Sequence, residues 1–125
     1  MTIAGEDSGT PGSGTGTVVN TGNAYAPVVF EVTGPIVGPA TILNETTNES
    51  ITIIGALGSG DILEIDTRDH EVALNGDVVG KRSLIDVLAE WTLLAPGANV
   101  FSFSDDGDAT SSASLTVYYR SAWLG

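Results

Sequence analysis

The chain has 125 residues, the size of one domain, and an apolar fraction of 42% that suits a globular body better than a disordered one. Sixteen acidic residues against four basic ones (Arg68, Lys81, Arg82 and Arg120) leave a formal net charge of −12, which a nucleic-acid duplex or an anionic membrane would repel. The absence of cysteine excludes disulfides, thiolate metal sites and cysteine nucleophiles. Met1 to Asp7 has neither the basic start nor the apolar core of a secretory signal. No apolar stretch approaches the ~18 residues needed to span a bilayer, so the expectation is a soluble chain without membrane insertion.

Ser8 to Thr17 is almost wholly Gly, Ser, Thr and Pro. Such a segment buries little apolar area, and it predicts a flexible arm over residues 1–17 that orders against a neighbouring subunit. Thr2, Ile3 and Pro11 are the candidate contact residues of this arm. A single domain is expected over residues 18–125.

From Val18 onward, short apolar runs alternate with turn residues. Pro27 to Thr33 predicts a strand with Val28, Phe30 and Val32 on one face, ended by Gly34-Pro35. Ala40 to Asn44 and Ser50 to Ile54 predict two more strands around a polar turn. Asp61 to Asp66 alternates so that Leu63 and Ile65 lie together. His70 to Leu74 follows, with Val72 and Leu74 inward. Asn75-Gly76 signals a hairpin, since both central positions of a type I′ turn need positive φ, and Val78-Val79 is expected to return as a short strand.

Ser83 to Asp86 has the spacing of a capping box, with Asp at its last position, and Leu84, Leu88 and Trp91 follow at helical intervals. One short helix or a pair of turns is expected there. Trp91-Thr92-Leu93 then predicts a strand with Trp91 and Leu93 inward. Pro96-Gly97 suits a type II turn. Phe101 and Phe103 alternate with serines, and Ser114 to Arg120 places Leu115, Val117 and Tyr119 on one face. Nine or ten strands without repeated crossover helices predict an all-β fold, an antiparallel β-sandwich or jelly roll.

Catalytic chemistry is scarce. His70 is the only histidine, and no serine sits in a Gly-x-Ser-x-Gly elbow, so a turn or rim role is expected for it. Glu64, Asp66 and Glu71 lie near one hairpin, yet acids this common pair by chance on a solvated surface. Asp105, Asp106 and Asp108 gather carboxylates in a loop as a calcium site would, without the EF-hand spacing, and a plain acidic turn is the simpler expectation. Gly12 to Gly16 lacks the preceding strand and the Lys-Ser/Thr of a phosphate loop. The sequons at Asn44 and Asn48 read as turn residues. Tyr118 and Trp123 are candidate glycan-binding or interface aromatics. No cofactor is expected, and the enzyme class explains least of the sequence.

Asn20 to Pro35, Leu43 to Thr47, Gly60 to Thr67, Val72 to Asp77, Trp91 to Asn99 and Leu115 to Leu124, taken in this order, resemble the C-terminal domain of siphophage distal tail proteins. The resemblance covers nearly everything from Val18 onward. It implies a galectin-like sandwich on the outside of a phage particle, non-enzymatic, assembled in the host cytoplasm and docked to other virion proteins. The N-terminal ring-forming half of that family is absent from this sequence, which suggests an accessory or decoration module on tail or capsid. A homo-oligomer, trimeric or hexameric, is expected. A carbohydrate-binding module for host-surface glycan is the alternative.

Overall fold

The computed structural model describes residues 2–5, 15–37, 39–105 and 113–119. Nine strands are found among them: β1 (Thr2–Gly5), β2 (Thr15–Asn20), β3 (Val28–Thr33), β4 (Ala40–Asn44), β5 (Glu49–Ile53), β6 (Ile62–Asp66), β7 (Glu71–Leu74), β8 (Gly97–Asp105) and β9 (Ser114–Tyr119). They form two sheets, β1-β9-β3-β6-β7 and β2-β8-β4-β5. Every pairing is antiparallel except β1 with β9. The fold is the expected β-sandwich.

Alternation decides which face is inside. In β3, Val28, Phe30 and Val32 are buried while Val29, Glu31 and Thr33 are half-buried on the outer face. Register then aligns cross-strand rows: Ile65, Phe30 and Val117 form one, and Leu63, Val32 and Leu115 the next. The facing sheet contributes Ile42, Ile51, Ile53, Phe101 and Phe103. Phe30 and Phe101 meet edge-to-face with ring centroids 5.5 Å apart, which locks the two layers together. Asn75-Gly76 makes the expected tight hairpin, with φ of 51° and 84° and reciprocal backbone bonds between Leu74 and Asp77 of 2.8 and 3.0 Å.

Two local expectations need correction, at Val78-Val79 and at Trp91. The expected short helix or pair of turns is a four-residue 3-10 turn, Lys81–Leu84, with Leu88 exposed. Beyond that turn the Asp86 and Glu90 amides bond to the edge of β5, while the Ala89 amide bonds Asp86 O within the segment. Val78 and Val79 form no strand and stand exposed, because pairing beyond the hairpin ends at Asp77. Around Trp91 the parity is reversed: Thr92 and Leu94 are buried, while Trp91 and Leu93 are half-buried. Thr92 can go inside because its hydroxyl is satisfied there. It donates to Glu49 Oε1 at 2.9 Å and accepts from Asn44 Nδ2 at 3.2 Å.

The sandwich has two open sides, closed by different means. On the β5/β7 side, residues 75–90 cross from one sheet to the other. Ile85 inserts into the core, and the Ile54, Asp86 and Glu90 amides bond Leu84 O, Thr52 O and Ser50 O at 2.8, 2.9 and 3.0 Å. These bonds occupy the free edge of β5. On the β2/β9 side, β1 covers the seam among the described residues. It pairs with β9 from Thr2 opposite Ser114 to Gly5 opposite Val117 and lies against β2. β1 and the start of β2, Thr15 to Thr17, fall on residues that the sequence assigns to the arm.

Candidate functional site

The loops at one end of the sandwich are held by buried side-chain amides. Asn20 donates to Ala24 O and Leu94 O at 2.7 and 3.3 Å and accepts the Gly22 amide. Asn99 donates to Ala95 O and Gly97 O and accepts the Ala95 amide. Asn44 accepts the Thr46 and Thr47 amides, so it caps the β4–β5 turn as its sequence position suggests. Ala26 and Leu94 exchange backbone bonds of 3.0 and 2.7 Å. Thr67 fixes the β6–β7 turn to β3, its hydroxyl accepting the Val28 amide and donating to Val28 O.

These ties shape a cleft of about 350 Å³ lined by Pro27, Thr67, Arg68, His70, Trp91 and Leu93. His70 lies in the turn before β7 with φ of 54°, and its ring stacks on Trp91 at 4.6 Å, within 7° of parallel. The Arg82 guanidinium carbon lies 4.5 Å from the Trp91 ring centroid, and Nη1 donates to His70 O at 3.4 Å. Among the described residues the Arg68 guanidinium has no hydrogen-bond or ion-pair partner. Two of the four basic residues of the chain, Arg68 and Arg82, therefore lie at this end of β7. Lys81 reaches Asp77 at 3.8 Å across an exposed i,i+4 pair, an interaction of small energy.

A second surface feature is apolar. Val79, Val87 and Leu88 are 77%, 94% and 82% exposed, all on the crossing segment, with Val78 and Ile54 also exposed. The Asp86 carboxylate turns this tip outward by accepting the Leu88 amide at 2.8 Å. Large aliphatic side chains held into solvent by backbone geometry are suited to a docking surface.

The site residues named from sequence are scattered. His70 is an exposed turn residue whose ring packs on Trp91. Asp105 is buried at the end of β8 and accepts the Val37 amide at 3.3 Å, while Asp106 and Asp108 lie outside the described residues. Among the described residues no three His, Asp or Glu side chains gather as metal ligands would. Glu64 and Glu71 are exposed, and Asp66 caps the amides of Arg68 and Asp69. Tyr118 is half-buried on the outer face of β9 and is not part of the cleft lining. Trp123 and Pro11 lie outside the described residues. Thr2 and Ile3 are in β1, at register positions opposite Ser114 and Leu115. The Trp91 cleft went unforeseen, because its walls come from three loops far apart in the chain and no local spacing announces them.

A family model described as siphovirus-type tail component, C-terminal domain, matches residues 21–123. No curated protein and no solved structure matches the chain.

Proposed function

We propose that this chain, which belongs to the siphovirus-type tail component family through its C-terminal domain, is a non-catalytic accessory subunit on the exterior of the tail. The family match over residues 21–123 carries this reading, since a tail component domain works by contact with other virion proteins. The exposed Val79, Val87 and Leu88 support it as the surface that docks. Repetition of the subunit around the particle, as a trimer or hexamer, follows the closed symmetries that such assemblies use.

Two measurements test the proposal. Mass spectrometry of purified particles should find the chain at a fixed copy number that is a multiple of three. Replacing Val87 and Leu88 by Asp should strip the subunit from particles while its melting temperature stays within a few degrees of the parent. Retention of the doubly substituted subunit at full copy number would contradict docking by this surface.

A second reading, a carbohydrate-binding module for host-surface glycan, is favoured by one observation: the cleft sets Trp91 beside the uncommitted Arg68 guanidinium. Glycan titration followed by tryptophan fluorescence tests it. Saturable binding lost in Trp91→Ala but kept in Tyr118→Ala would place a sugar in the cleft. An unchanged signal across a glycan panel would dismiss that reading.

A further inference from the structure

We propose that β1 exchanges between copies: Thr2–Gly5 of one chain occupies the β9 edge of its neighbour in the same parallel register that it adopts within one chain. The inference deepens the docking reading, on which it rests for the close spacing of copies. It names the second contact, a strand slot, and the occupant, a second copy of this chain.

The slot is defined by the structure. Thr2, Ile3, Ala4 and Gly5 pair with Ser114, Leu115, Thr116 and Val117, and among the described residues no other strand borders this side of β9. Without β1 the sheet would end at β9 and expose a row of unpaired amides and carbonyls, a template for any compatible strand. The strand that fits this edge in register is the chain's own. An identical strand from a neighbour makes identical contacts, so the exchanged form costs chiefly the entropy of association.

The connection permits it. Nine residues separate Gly5 from Thr15, a length that can reach at most about 30 Å when extended. That distance is close to the width of a small domain, enough to place β1 on an adjoining subunit. The connection also passes from one sheet to the other, so no sheet register ties the position of β1 to that of β2. On the opposite side of the sandwich, residues 75–90 carry the buried Ile85 and are held to β5 by backbone bonds. Copies held side by side on a particle see one another at millimolar effective concentration, which favours exchange without any new contact.

The chain has no cysteine, so introduced thiols report pairing without interference. Ala4 and Thr116 are register partners, as are Thr2 and Ser114, and adjacent strands bring Cα atoms within disulfide range. Two full-length chains are prepared, one with Ala4→Cys and one with Thr116→Cys, distinguishable by mass. They are mixed at about millimolar concentration and oxidised. Neither can close on itself, so a mixed covalent dimer reports pairing between chains. The expected result is a mixed dimer exceeding both same-variant dimers by several-fold, and its loss when Ile3→Pro is added to the Ala4→Cys chain. The pair Thr2→Cys and Ser114→Cys should behave alike and serves if either first variant misfolds by circular dichroism. Mixed dimers no more abundant than random pairing, with rapid closure of the Ala4→Cys/Thr116→Cys double variant as a monomer, would overturn exchange. Particle incorporation is read separately by mass spectrometry: a subunit incorporated without exchange leaves the docking reading standing, and an absent subunit sinks docking alone.

Discussion

The two sides of this sandwich solve one problem in opposite ways. Each leaves a gap between sheet edges through which water could reach the core. On the β5/β7 side, a continuous segment fills the gap with Ile85 and satisfies the edge of β5 through the Asp86 and Glu90 amides. On the β2/β9 side, four residues of β1 do the covering, joined to the body through a nine-residue connection. The first closure is tied to the core and opens only with the fold. The second rests on one parallel ladder, a slightly weaker pairing per residue than the antiparallel ones around it. The two closures thus differ in how firmly the covering segment is tied to the core, and a region's opening follows such ties.

The largest expected effect breaks the tied side. Ile85→Ala should lower unfolding stability by about 2–5 kcal/mol, since a buried isoleucine leaves a cavity where the crossing segment enters the core. Denaturant unfolding measures it, and a loss below about 1 kcal/mol would mean that the segment is peripheral after all. The same test on the other side should give far less. Ile3→Pro removes one donor from β1 and should cost no more than about 1 kcal/mol, the net worth of a typical hydrogen bond, with the unfolding midpoint nearly unchanged.

The smallest effect concerns pH, on the tied side. Asp61 accepts Asn75 Nδ2 at 3.1 Å and the Gly58 amide at 2.8 Å, and these bonds, the Asn75 bond foremost, hold its carboxyl below the ordinary aspartate value of 3.8. A folded-state pKa below the unfolded one means that the contribution is complete above 3.8 and fades as pH falls through the lowered folded value. Asp61→Asn should therefore flatten the acid limb of the stability profile slightly. An acid limb identical to the parent's would show that this turn does not couple to folding.

Much of the fold was legible because it is local. The strict alternation of β3, β6 and β9 and the Asn75-Gly76 turn each depend on neighbours in sequence, and each forms as read. The failures share a cause, which is a partner far along the chain. Leu84, Leu88 and Trp91 have helical spacing, yet no long helix forms, and the Asp86 and Glu90 amides find their acceptors, Thr52 O and Ser50 O, on β5, more than thirty residues earlier. Trp91-Thr92-Leu93 reads with the aromatic inside. The buried Asn44 and the half-buried Glu49 supply partners that draw Thr92 in instead and turn Trp91 towards the cleft. The cleft itself needs the Pro27, Thr67–His70 and Trp91–Leu93 loops together, and only the folded amide ties assemble them. Membership of the tail-component family was legible from the ordered blocks, whereas the exposed Val79 and Val87 became a surface feature only once residues 75–90 were seen to run along the edge of β5.

Hydrogen exchange on the free chain, resolved to single amides, tests the asymmetry of the two sides most directly. The amides of Asp86 and Glu90 should exchange only with global unfolding, and those of Thr2 to Gly5 at least 100-fold faster through local opening of β1. Equal protection on both sides would contradict the account, because β1 would then be as fixed as the strap and could not be shared.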